Sequence, residues 1–218
     1  KVEPELVNPE DPTPGTAAMV QGIFDAYATD LNDNIRDSGM PNPHTYFQVD
    51  EIKLPAGLPG PEVSVSPPMD PIEIYRDENL AVTAILVDHA PIYPNYAFRF
   101  DTSAGSIVFS GDTNRNDNLI ALAKGADILV HEAISTQWAE SLFPEPRDPA
   151  GEAKLRHLLE SHTPTEQVGA IAEEAGVKTL VLSHLAPSTV PDEEWLAKVS
   201  GFSGEVLVGR PLVRVSLR

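Results

Sequence analysis

After Asp112 the rhythm of this chain changes, and that change limits what it can fold into. From Tyr46 to about Ser110, short apolar runs are punctuated by Pro and Gly: FQVDEI, EVSV, PIEIYR, LAVTAILVDH, AFRFDT and SIVFS. Runs of this length and composition predict strands. Beyond Asp112, strands alternate with helices. A helix is expected over Asn116 to Lys124, a buried strand over Asp127 to Val130, and a helix over Pro164 to Ala175. A second buried strand fits Lys178 to Ser183, a helix fits Pro191 to Val199, and EVLVG and LVRVSLR read as closing strands. A strand-rich first half followed by β-α-β-α units fits an α+β layered sandwich better than a doubly wound sheet.

Ahead of this, residues 1 to 15 are rich in Pro and acid and read as an arm or linker; one domain is expected over 16 to 218. Met19, Ile23, Tyr27 and Leu31 recur at helical spacing and predict a helix from Thr16 to about Arg36. The insert from Ser135 to Glu160, rich in Pro and charge, reads as a surface flap. No apolar run approaches the roughly 18 residues of a membrane span, so no membrane partner is expected.

Charge narrows the partners. With 33 acidic and 15 basic side chains the net charge is −18. A surface that grips polyanions needs clustered Lys and Arg, so nucleic acid is not favoured. The chain has no cysteine, which excludes disulfides, thiolate metal sites and cysteine nucleophiles. It also slightly favours an exported or periplasmic protein. Any metal must be held by His and carboxylate.

Three polar residues stand where apolar strands run out: His89 after AILVD, Asp112 after SIVFSG, and His184 after TLVLS. Strand ends are held rigidly, which suits ligands that must be placed within a fraction of an ångström. Two imidazoles and a carboxylate suit zinc, or manganese or iron. His131 lies on a buried strand beside Glu132 and reads as structural. His157 reads as solvated, and His44 sits in a Pro-containing loop with no role assigned. Tyr93, Tyr96 and parts of the flap are expected to line a pocket.

The runs VDHAPIYPNYAFRF, SIVFSGDT, ADILVHEA and SHTPTEQVGAIAEEAGVKTLVLSHLAP, in that order, resemble the metallo-β-lactamase superfamily. In particular they resemble the branch that includes ribonuclease Z and some arylsulfatases. The resemblance covers roughly residues 79 to 190. It implies an αββα sandwich, here its C-terminal half plus part of the first half, with two metals (zinc first, manganese or iron next) per complete site. It makes His89 and His184 terminal metal ligands and Asp112 the bridge. It pairs Glu132 with His162, so that Glu132 fixes one ring nitrogen and His162 faces the substrate. The family's His-x-His-x-Asp-His signature is absent, so an upstream segment of the same protein is expected to complete the site. A homodimer is also implied.

The expected chemistry is metal-assisted hydrolysis of a small-molecule ester, a phosphodiester or a sulfate ester. Two other readings stand beside it: a tRNA 3′-processing endonuclease of the ribonuclease Z type, and a non-catalytic degenerate binding module.

Overall fold

The computed structural model describes residues 6–10 and 13–217. Residues 1–5 and 11–12 of the expected arm, and Arg218 of the expected last strand, lie outside the described residues. The chain divides into two compact units, one up to Leu54 and the other from Pro55 onward.

In the first unit the expected single helix is two, α1 (Thr16–Ala26) and α2 (Ala28–Ser38), interrupted at Tyr27 with φ −99° and ψ 13°. Neither helix buries a residue completely. Met19, Ile23 and Tyr27 are 54%, 48% and 59% exposed. The helical spacing was therefore a sound guide to helix and a poor one to burial. Phe24 packs edge-on against His44 and Phe47, at ring distances of 4.9 and 5.8 Å. The runs FQVDEI and EVSV form no strand.

The second unit is built on one seven-stranded sheet, in spatial order β1 (Ile72–Arg76), β2 (Leu80–Leu86), β3 (Tyr96–Thr102), β4 (Gly105–Phe109), β5 (Ile128–Ile134), β6 (Thr179–Ala186) and β7 (Glu205–Val208). Pairs from β1 to β4 are antiparallel, and pairs from β4 to β7 are parallel. It follows that β2, β4, β5, β6 and β7 all point the same way. The α+β class holds, and the described residues supply one β-layer with its helices. No strand forms over 212–217. Among the described residues no helix is long and apolar enough to cross a membrane.

Side chains alternate across a strand. Ile85, Val87, Val108, Leu129, Leu180 and Leu182 belong to one core cluster with residues of α3 (Asp117–Ala123) and α6 (Thr165–Ala175). Trp195 of α7 (Asp192–Lys198), fully buried, closes this core. Burying each large apolar side chain contributes roughly 1.5–3 kcal/mol. The side chain of Asn118 in α3 donates to the Leu86 carbonyl at 3.0 Å and so satisfies the end of β2.

The flap contains two helices, α4 (Thr136–Ser141) and α5 (Pro149–Ser161). Ser135 and Asp148 cap them by accepting from the N–H groups of Trp138 and Gly151, and Pro149 opens α5. Ile134, Ala139 and Leu155 form a second small core beneath them, with Trp138, Phe143 and Leu159 against it.

Gly169 is where α6 meets the chain beyond α7. A Cβ there would lie 2.1 Å from the Ser200 carbonyl oxygen. Helix propensity favours alanine over glycine by about 1 kcal/mol, yet overpacking costs about 1–3 kcal/mol. Gly169→Ala should therefore lower the urea midpoint of unfolding; a raised midpoint would mean that the 199–200 segment yields freely.

Candidate metal centre

Because β2, β4, β5 and β6 run in one direction, their carboxyl ends share one edge of the sheet, the usual place for a ligand in parallel sheets. His89 follows β2, Asp112 follows β4, and Glu132 and His184 lie in β5 and β6. Segments distant in sequence thus deliver their side chains to one rim.

Two backbone irregularities aim them. The β5–β6 ladder pairs Glu132 with Ser183 and then Ala133 with Leu185, so His184 is an extra, unpaired residue. Its φ is +42°, uncommon for histidine. Such a bulge re-aims a side chain, and His184 Nε2 comes to 3.3 Å from Asp112 Oδ2. At the end of β4, Gly111 has φ +63°, and a Cβ there would meet the Tyr96 carbonyl oxygen at 2.6 Å. Only glycine fits that turn, which carries the chain into Asp112. The side chain of Asn95 donates to the Asp112 carbonyl.

Glu132 is 2% exposed. Its Oε1 accepts from Thr113 N–H at 3.1 Å, Thr163 N–H at 3.0 Å and His162 Nδ1 at 3.1 Å. The expected Glu132–His162 pair is therefore present. Hydrogen bonding and charge from Glu132 raise the His162 pKa above its ordinary value, against the opposing effect of burial. With Nδ1 engaged by Glu132, Nε2 is the ring nitrogen left for other partners. Its ring stacks on that of His184 at 6.1 Å and meets that of His89 edge-on at 4.9 Å. His89 Nδ1 donates to the Ser161 carbonyl at 2.8 Å.

Asp112, His162 and His184 each place a ligand atom within 4.8 Å of the other two. Donors bound to one zinc at about 2.1 Å lie within roughly 4 Å of one another, so a small adjustment brings these to bonding range. Two imidazoles and a carboxylate fit a divalent metal, but the second imidazole of this trio is His162, which Glu132 also holds, and not the expected His89. His89 lies beside this trio, ring to ring with His162. A cavity of about 200 Å³ opens here, lined by Phe109, Gly111, Asp112, Glu132, Ser183 and His184 among others.

Tyr93, Tyr96 and the 135–160 flap do not line that cavity. Tyr96 contributes its backbone instead, against Gly111. His131 is fully buried on the helix side of β5, and burial holds its pKa below the ordinary value. Its structural reading fits that place. His157 is exposed as expected but bonds to Ser161. The partners of Glu132 and His89 escaped the motif reading, although Thr113 and Thr163 directly follow the site residues in GDT and HTP.

A family model described as "Beta-lactamase superfamily domain" matches residues 41–185. Ribonuclease Z of Mycobacterium tuberculosis strain H37Rv is 30% identical over 207 residues, covering 94% of this chain and 67% of that protein. Ribonuclease Z of Mycobacterium sp. strain KMS is 29% identical over 212 residues, covering 94% of this chain and 64% of that protein. The crystal structure of human tRNase Z, short form, aligns with 68% of this chain and 46% of that chain, at 21% identity and a TM-score of 0.46.

The two ribonuclease Z relatives overturn two expectations, the small-molecule ester (phosphodiester or sulfate ester) as substrate and the exclusion of nucleic acid. The charge argument failed because net charge is an average, whereas RNA contact depends on local charge. In a metal site the bound cation is often the largest local charge. The −18 was also counted on a chain matching about two thirds of these relatives' length.

His162 offers a direct test of the pair. Its folded pKa is raised, so in the metal-free chain its protonation stabilises the fold below the ordinary imidazole value of about 6.5, and that contribution is lost as pH rises through the raised value. NMR titration should find His162 above the ordinary value in the metal-free chain and shifted downward in Glu132→Gln. No shift between the two would dissolve the pair as an electrostatic unit.

Proposed function

We propose, on the premise that the chain belongs to the β-lactamase superfamily and to its ribonuclease Z branch, that it carries the C-terminal part of a metal-dependent site cleaving phosphodiesters in RNA, at the 3′ end of tRNA. One observation carries this reading: the Glu132–His162 pair stands beside Asp112 and His184 on a chain 30% identical, over 94% of its length, to a protein named ribonuclease Z.

His89, Asp112 and His184 would hold zinc, with manganese or iron also suited. Zinc so held supplies an acidified water and neutralises negative charge that builds on a phosphoryl oxygen. The donors here are fewer than two metals need, so a dinuclear site would take ligands from beyond these residues. His162 Nε2 faces the reacting group and carries the proton that the leaving oxygen receives. Glu132, anchored by two backbone N–H groups, holds the ring in that orientation and favours its protonated form. Asp112 keeps its carboxylate toward His184. His131, neutral and buried, takes no part.

With those further ligands supplied by the upstream segment, the zinc-supplemented protein should cleave a tRNA carrying a 3′ extension. Asp112→Asn should lower bound zinc and cleavage together. His162→Ala should reduce turnover by about 10²–10⁴-fold, the usual contribution of a positioned acid, with zinc per chain unchanged by elemental mass spectrometry. An unchanged turnover in His162→Ala would remove that residue from the chemistry, and a zinc-loaded protein inert on RNA would remove the substrate class.

A further inference from the structure

Ser161 is the last residue of α5, 1% exposed, and it holds the His89 loop at two adjacent points. Its carbonyl accepts from His89 Nδ1 at 2.8 Å, and its hydroxyl donates to the Ala90 carbonyl at 2.8 Å. A carbonyl only accepts, so His89 carries its proton on Nδ1 and keeps the lone pair on Nε2. That is the nitrogen a metal would take. The Ser161 hydroxyl has one proton, already given to Ala90. Its 3.1 Å contact with His157 Nδ1 must therefore be a bond donated by His157. His157 lies one helical turn earlier and braces the hydroxyl from the exposed side of α5. The other hydrogen bonds of His89 and Ala90 among the described residues span only two or three positions, to Ile92 and Asp88. Ser161 supplies the tie to a distant part of the chain.

From this geometry we infer that Ser161, braced by His157, is a positioning residue that sets the tautomer and direction of His89, and so its strength as a metal donor. The inference rests on the reading of His89 as a ligand. It makes the flap helix α5 part of the metal centre, though no flap side chain enters the cavity.

The test uses this chain metal-free for ¹⁵N NMR of the imidazoles, then zinc titration against a competing chelator, with circular dichroism melts as a control of folding. The wild type should show His89 and His157 as Nδ1–H tautomers. Ser161→Ala keeps the carbonyl but releases Ala90 from the hydroxyl; with the His89 loop loosened, part of the Nδ1–H population of His89 should be lost and zinc binding should weaken by about tenfold, the scale found for groups that orient a ligand. His157→Ala, on an exposed side chain, should move both readouts the same way by a smaller factor. Should Ser161→Ala fail to fold, His157→Ala decides alone. Wild-type tautomers and wild-type zinc affinity in the folded variants would overturn the inference. A wild-type chain that binds no zinc would instead overturn His89 as a ligand, while the tautomers still judge the clamp. Neither readout depends on RNA cleavage.

Discussion

One buried carboxylate oxygen ties this site together. Glu132 Oε1 sits at the end of β5 and accepts N–H groups from the turn after β4 and from the entrance to α6, along with the ring of His162. A buried carboxylate is costly unless its lone pairs are met; Oε1 is met by segments that carry other members of the site, while Oε2 is buried without a hydrogen-bond partner among the described residues. The bond to Thr113 fixes the residue after Asp112, and the bond to Thr163 fixes the residue after His162. The Thr163 hydroxyl then donates to the Thr113 carbonyl at 2.6 Å, closing the triangle. Removing the carboxylate would leave two buried N–H groups unpaired, each worth roughly 1–3 kcal/mol. Site and fold are therefore stabilised by the same bonds, and the rim is rigid because the sheet beneath it is.

Much of this was legible in the chain. A polar residue after a long apolar run marks the point where a buried strand meets solvent, and His89, Asp112 and His184 all lie on the rim. The alternation of helices with apolar runs after Asp112 was legible too, and that is the half in which the sheet proves parallel. What could not be read were features that depend on neighbours. FQVDEI and EVSV have strand composition, but a strand exists only where another pairs with it. The helical caps at Ser135 and Asp148 were present in the letters, but proline and charge around them had the look of loop. Ser161 was invisible because both of its bonds to the His89 loop use main-chain oxygens, its own toward His89 and that of Ala90 toward its hydroxyl, and every residue has one.

The charge argument shows the same limit from another side. Five of the eight described arginines are paired with nearby acids: Arg76 with Glu73, Arg99 with Asp101, Arg115 with Asp117 and Glu174, Arg147 with Glu145, and Arg210 with Asp192. These pairs are largely exposed and contribute little to stability. The acidic balance describes solubility and long-range field, and the rim is a local matter of two imidazoles, a carboxylate and whatever cation they hold.

The bulge at His184 has a bearing on any attempt to transplant this rim. In a strand of strict alternation, the residue two beyond Leu182 would turn into the helix-facing core. The extra residue hands that place to Leu185, which packs against the core, and leaves His184 at the edge. Grafting the site residues onto an idealised, unbulged sheet would reverse the two, burying an imidazole and exposing a leucine. The irregularity must be carried over with the ligands, as part of the site itself.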